Sequence, residues 1–283
     1  MLPSRFELHR PDTLDQALAL LAEFGDDATA FAGGTELLIA MKARVLRYAH
    51  VVDIKRLPEL RGIRLDAGKL VIGALSTHRQ IARDPLVLEH LPAYAELSDN
   101  IANIRVRVAG TIGGNLCFAE PHADPPALLC ALDAEIVLAG AGGLRRVPMA
   151  EFIIGEFTTA RADNELLVAV EIPLQPAGTR AAYRAFGHSE RPAAGVAAVC
   201  QDQNGKLSWR FWVGALSAPA VRLTALEDVC AGVGAADVPT VIEQQAGALT
   251  ATLEAQDDLH GSADYKRHLV TVLARRAAQA CLS

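Results

Sequence analysis

The sequence predicts a mixed α/β and α+β protein in two parts: a larger domain over residues 1–176 and a small α+β domain over residues 177–283. Three observations predict it. Hydrophobic residues make up 51% of the chain but aromatic residues only 5%, a profile that suits helices laid on sheets through small side chains. Residues 29–54 read as strand, glycine loop, helix and strand, the order of a parallel crossover. Beyond residue 179 the order changes to strands first and helices afterwards, which marks an α+β unit.

The elements follow in order. Thr13 and Gln16 have capping-box spacing, and Leu14, Ala17, Leu18 and Leu21 fall on one helical face, with Gly25 placed to end the helix. A β-like run at 29–32 enters Gly33-Gly34; residues 37–42 have helical composition, and 51–54 read as a strand. Residues 69–75 read as another strand, followed by Ser76-Thr77 and a helix start. A mainly helical stretch over 91–103 leads to a second glycine pair, Gly113-Gly114. Pro125-Pro126 opens a helix over 127–132, since proline suits the first helical turn. Strands are expected at 135–138 and 165–173. The connector at 175–179, with Pro176 and Gly178, divides the two domains, and the first domain splits further near residues 57 and 58. Three β-like runs (182–186, 195–200 and 207–213) form a three-stranded antiparallel sheet, with Asn204-Gly205 as a hairpin turn between the last two. A closing helix shows an apolar face through Leu269, Val272, Leu273 and Ala277.

Composition narrows the function. A formal net charge of -6 with scattered Lys and Arg gives no footprint for nucleic acid. No apolar run is long enough for a membrane span, and the first residues lack the apolar core of a signal peptide, so a cytoplasmic protein is expected. The five cysteines stand at long, irregular intervals. They are expected as reduced thiols packing as small hydrophobes rather than as a disulfide framework, a zinc site or an iron–sulfur cluster. The eight histidines also read as dispersed, with no metal-ligand cluster and no nucleophilic triad.

The chemistry is carried by two segments, Ala32-Gly33-Gly34-Thr35-Glu36 and Thr111-Ile112-Gly113-Gly114-Asn115. A pyrophosphate needs close, directed N–H donors, and glycine lets backbone approach because no Cβ intervenes. Threonine adds a hydroxyl to each segment. Neither has Walker spacing and neither is G-x-G-x-x-G, which excludes the P-loop and the Rossmann fingerprint. A Gly-Gly pair alone often makes only a tight turn.

Together with their surroundings these segments resemble the FAD-binding subunit of the molybdenum hydroxylases, the xanthine oxidoreductase and carbon monoxide dehydrogenase family. Phe31 to Leu38 looks like the first pyrophosphate loop, and Gly110 to Leu116 with Ala123 to Leu128 like the second and its acidic position. Val71-Ile72-Gly73-Ala74 with Thr77-His78 resembles the connecting strand. Val213-Gly214-Ala215, Pro219, Arg222 and Ser262 to Leu269 resemble the flavoprotein C-terminal domain.

The resemblance implies a two-part FAD-binding domain of the PCMH type and non-covalent FAD. Ala32, Gly33, Gly34, Thr35, Glu36 and Leu37, with Thr111, Gly113, Gly114 and Asn115, would contact the pyrophosphate and adjoining groups. Asp124 would accept from flavin-side hydroxyls, its alternative being an N-cap beside Pro125. Ile101 and Leu167 would line the flavin or adenine, or else simply pack in the core. The family implies an iron–sulfur small subunit with [2Fe–2S] clusters and a large subunit with the molybdenum cofactor, assembled as a dimer of heterotrimers. Electrons would pass through FAD to an external acceptor, with no substrate-oxidising residue in this chain.

The chain also departs from the pattern. Ala185 stands where many relatives carry Lys; His188, Glu190, Arg191 and Pro192 replace the more usual residues; and Ile101 to Arg107 lacks the common Asp-Pro. His188 or Arg191 either supplies the missing positive charge near the reduced flavin or is simply an exposed loop residue. Two rivals make different predictions. A vanillyl-alcohol-type flavin oxidase needs a large substrate domain, for which the region after Thr179 is too short. An assembly subunit that has lost FAD is disfavoured by the intact glycines.

Overall fold

The structure is a computed structural model describing residues 2–188, 191–203 and 205–283. It begins with a small parallel sheet built from β1 (Glu7–His9), β2 (Ala28–Phe31) and β3 (His50–Asp53) in the order β1-β3-β2. Helix α1 (Leu14–Phe24) joins β1 to β2, and α2 (Leu37–Lys42) joins β2 to β3, so the expected crossover is present. Thr13 caps α1 by accepting from the Gln16 N–H, and Gly25 ends it at φ +49°. The Gln16 side chain reaches back one residue further than a capping box requires, to the Asp12 N–H. Strand β1 carries too short a pattern to be read in sequence.

A five-stranded, wholly antiparallel sheet follows. Its order is β4-β5-β10-β6-β7, made of β4 (Ile63–Asp66), β5 (Lys69–Gly73), β6 (Glu135–Gly140), β7 (Gly143–Pro148) and β10 (Leu166–Pro173). Between β5 and β6 the chain makes six short helices: α3 (His78–Arg83), α4 (Pro85–His90), α5 (Pro92–Asn100), α6 (Ile104–Ala109), α7 (Ile112–Phe118) and α8 (Pro125–Ala131). A one-turn helix α9 (Met149–Phe152) and the small hairpin β8 (Ile153–Gly155) and β9 (Thr158–Thr159) lie between β7 and β10. Two expectations need correction here. The helix expected to 103 stops at Asn100, because Ile101 is extended and Ala102 takes φ +40°. The second glycine pair is not a loop: Gly113 and Gly114 form the first turn of α7, with Thr111 as its N-cap.

The C-terminal sheet has four antiparallel strands rather than three, in the order β11-β12-β13-β14. They are β11 (Thr179–His188), β12 (Arg191–Gln203), β13 (Lys206–Gly214) and β14 (Val221–Arg222), the last only two residues long. Gln203 pairs with Lys206 at the expected hairpin, where Gly205 has φ +83° and Asn204 lies outside the described residues. Helices α10 (Thr224–Cys230), α11 (Val238–Thr250) and α12 (Ala263–Leu282) follow. On α12, Leu269, Leu273 and Ala277 are buried as expected, with Val270 taking the place of Val272.

The core explains the spacing. One hydrophobic cluster runs from Ala17 and Val52 through β5, α8, β6 and β10 to Ala197 and Val199. A second holds Val196, Ala198 and Cys200 against α12. Strand β12 is therefore buried on both faces, which accounts for its near-continuous apolar run. Four of the five cysteines are buried and Cys117 partly so, consistent with their packing as small side chains. Among the described residues no helix is long and apolar enough to cross a membrane.

Candidate cofactor site

The fold brings the two glycine segments into direct contact. A Cβ on Gly33 would lie 2.1 Å from the carbonyl oxygen of Ala109, and one on Gly110 would meet Thr35 Oγ1 at 3.4 Å and Val106 O at 2.9 Å. Gly113 sits equally close to the strand beneath it: its Cβ would be 2.8 Å from Ala74 Cβ. These approaches admit glycine alone. Gly34 adds φ +71°, a left-handed turn into Thr35, Glu36 and Leu37. Backbone bonds lock the second segment from below: Ile112 N–H donates to Ser76 O, Gly113 N–H to Ala74 O, and His78 N–H to Gly110 O. Among the described residues Gly33, Gly34 and Thr35 donate no backbone hydrogen bond, and Asn115 Oδ1 is buried without a partner. Unspent N–H donors beside two close-packed glycine turns fit a pyrophosphate, and the unspent Asn115 oxygen fits a hydroxyl of the same ligand.

His78 lies under this junction, 2% exposed, with Nδ1 unpartnered. Burial and the nearby Arg107 charge push its pKa down to about 4, so the ring is neutral at physiological pH.

The acidic position completes a second cluster. Asp124 occupies the N-cap position of α8 but makes no capping bond; instead Tyr183 on β11 donates to its Oδ1 at 2.9 Å. Burial pushes the Asp124 carboxyl up to about 6, the Glu120 charge adds to this, and the Tyr183 hydroxyl opposes it. A Cβ on Gly195 would stand 1.9 Å from the Tyr183 hydroxyl, so glycine on the neighbouring strand makes room for this contact. Asp124 and Tyr183 line a cavity of about 370 Å³ together with Glu96, Ala102, Arg184 and Ala185. Arg184 donates to Glu96 at 3.0 Å, so a cation does line the cavity, one residue before Ala185. No sequence signal distinguishes Arg184 from a surface residue.

The other predicted residues are placed as follows. Ile101 and Leu167 are buried in the larger core cluster, and neither is among the residues lining the cavity. Arg107 donates to the carbonyls of Ile101 and Ala102, each at 2.9 Å, and holds the segment that lacks Asp-Pro. Arg191 does not reach the cavity lining: it bridges Glu120 at 3.0 Å and Glu36 of the first glycine segment at 3.5 Å. The His188 side chain and Glu190 lie outside the described residues. Burial pushes Glu120 upward, but its bonds with His122 and the Arg191 charge outweigh this and hold it below the usual carboxylate range. His122 also meets Asp258, which pairs with the buried Lys266.

The histidines are less dispersed than their spacing implies. His9 lies 3.0 Å from His50 between the adjacent strands β1 and β3, and the rings of His122 and His260 lie tilted at 46° with 4.7 Å between centroids.

A glycine-built clamp thus lies beside a cavity lined from α5, the start of α8 and β11. Residues 4–175 match the family described as the FAD binding domain in molybdopterin dehydrogenase, and residues 180–281 match the CO dehydrogenase flavoprotein C-terminal domain. The chain belongs to the medium, FAD-binding subunits of the molybdenum hydroxylases, and is thus an oxidoreductase subunit. It is 36% identical to the carbon monoxide dehydrogenase medium chain of Hydrogenophaga pseudoflava, covering 99% of this chain and 98% of that one. It is 32% identical to the 6-hydroxypseudooxynicotine dehydrogenase complex subunit alpha of Paenarthrobacter nicotinovorans, covering 98% and 94%. A solved structure of the H. pseudoflava carbon monoxide dehydrogenase, in a form lacking the Mo-pyranopterin moiety of the molybdenum cofactor, superimposes with a TM-score of 0.94 at 37% identity, covering 99% of this chain and 98% of that one.

Proposed function

We propose that the chain holds FAD non-covalently and relays electrons within a larger complex, from [2Fe–2S] clusters in an iron–sulfur small subunit to an external acceptor. A molybdenum large subunit would oxidise the substrate, and the whole would assemble as a dimer of heterotrimers in the cytoplasm. When bound, FAD supplies the two-electron chemistry, and the protein binds and orients it. Ala32, Gly33, Gly34, Thr35, Glu36 and Leu37, with Thr111, Gly113, Gly114 and Asn115, hold the pyrophosphate. Asp124, fixed by Tyr183, accepts from flavin-side hydroxyls. Ile101 and Leu167 back the rings, and Arg184 supplies the positive charge that Ala185 lacks. The division into 1–176 and 177–283 follows the two family matches, 4–175 and 180–281. The observation that carries the reading is the backbone contact between Gly33 and Ala109-Gly110.

Purification of the chain with its neighbours tests the proposal. FAD released by acid, together with co-purifying iron–sulfur and molybdenum subunits, is the expected outcome. A chain that takes up no flavin on reconstitution, or carries it covalently, overturns it.

A further inference from the structure

The small parallel sheet carries a group of side chains that the flavin site does not use. Glu7 and His9 alternate onto one face of β1, and His50 on β3 is the direct cross-strand partner of Glu7. His9 Nε2 lies 3.0 Å from His50 Nδ1, Glu7 Oε2 lies 3.9 Å from the same nitrogen, and the three ligand-type atoms fall within 4.8 Å of one another. We propose that Glu7, His9 and His50 form a binding site for a divalent transition metal of the zinc class.

The donor set is two imidazoles and a carboxylate, which suits Zn²⁺ and leaves a fourth position for water. A tetrahedral zinc ion with bonds of roughly 2.0–2.1 Å sets neighbouring ligand atoms about 3.3 Å apart. Two of the pair distances, 3.0 and 3.9 Å, bracket that value, and the remaining pair lies within 4.8 Å, so the exposed Glu7 carboxylate closes the site by turning inward. The imidazoles are already oriented. Phe24 stacks on His50 at 3.7 Å and 9°, and on His9 at 5.2 Å and 30°, an apolar wall of the kind that steadies ligand rings. Access is open, since the Glu7 side chain is 68% exposed and that of His50 22%. The site stands at the N-terminal end of β3, whereas the first glycine segment follows the other end of β2, where Phe31 pairs with Asp53. Three residues of strand put about 10 Å between these ends. Metal there would tie the three-residue edge strand β1 to the sheet without touching the clamp, and would raise the stability of the folded chain.

The test uses the full chain, stripped with a chelator and titrated with ZnCl₂ by calorimetry, with elemental analysis and melting temperature in parallel. One equivalent of zinc and a raised melting temperature are expected. His9→Ala and His50→Ala should each weaken binding about tenfold or more, while His90→Ala, on α4, leaves it unchanged. Glu7→Gln alters only an exposed side chain, so it tests the third ligand without threatening the fold, and it too should weaken binding. Failure of the wild-type chain to take up one equivalent, or unchanged binding in Glu7→Gln or in both histidine variants, reduces the pair to a His–His hydrogen bond and overturns the proposal.

Discussion

The glycine clamp and the cavity beside it are built by opposite means. The clamp is made of backbone: Gly33, Gly110 and Gly113 let three chain segments touch at distances that exclude any side chain. The cavity is made of side chains borrowed from both domains: Tyr183 of β11 reaches Asp124 at the start of α8, and Arg184 reaches Glu96 of α5. The clamp therefore fails sterically and abruptly, whereas the cavity is tuned by charge and responds gradually to pH and salt.

The largest effect follows from the clamp. A Cβ on Gly33 meets a backbone carbonyl at 2.1 Å, and no flexible group is present to yield. Gly33→Ala is expected to lose nearly all bound FAD and to cost about 3 kcal/mol of stability, the upper end for overpacking. Gly114→Ala, whose Cβ would meet only the Thr111 hydroxyl at 3.0 Å, should change stability by less than about 1 kcal/mol, because the helix-propensity gain of alanine in α7 offsets the crowding. The ratio of flavin to protein absorbance and a denaturant titration measure both. A Gly33→Ala chain that keeps its flavin would mean that the clamp is no tighter than the cavity.

Asp124 gives the intermediate effect. Its folded pKa of about 6 lies above the roughly 3.9 of an unfolded aspartate. Its contribution to stability is therefore fully present below about pH 4 and lost as the pH rises through about 6. Asp124→Asn can still accept from Tyr183 but has no charge to bury. The flavin-free variant should be more stable than wild type by about 2–3 kcal/mol at pH 7, with the gain vanishing near pH 4. If Asp124 accepts from the flavin as proposed, the same change should weaken FAD binding about tenfold, the worth of one charged hydrogen bond. Denaturation curves across that pH window and an FAD titration separate the two effects. Parallel pH profiles for variant and wild type would show that burial does not govern this carboxyl.

The same contrast explains what the sequence made legible. Gly33 and Gly113 could be read because a backbone requirement leaves a residue type at a fixed place, and the first crossover because its period and caps are local. Arg184 and Tyr183 could not be read as a pair with Glu96 and Asp124. Those contacts span 88 and 59 residues and leave no local pattern. At Gly113-Gly114 the sequence reads as a loop because glycines are poor helix formers, whereas the bonds to Thr111, Ser76 and Ala74 help hold that turn helical. The C-terminal sheet gained a fourth strand for a similar reason, since two residues at 221–222 have no period to detect. His9 and His50 lie 41 positions apart and meet only through the parallel register.

Arg191 offers the smallest effect and the finest division between the two regions. It lies where they meet, pairing with Glu36 of the clamp and with Glu120, which also bonds His122. Its side chain is 47% exposed, and exposed ion pairs contribute about 0–1 kcal/mol each. Arg191→Ala should therefore lower stability by less than about 1 kcal/mol, with the loss shrinking as salt screens the pairs. FAD affinity should change by no more than about fivefold, since 1.4 kcal/mol corresponds to tenfold. A double-mutant cycle with Glu36→Gln, run at low and high salt, measures the coupling directly. A salt-sensitive coupling with little change in flavin binding makes Arg191 a brace between the domains. An affinity loss as large as that of Gly33→Ala, insensitive to salt, would instead make it a direct ligand of the cofactor and move the boundary between clamp and cavity onto β12.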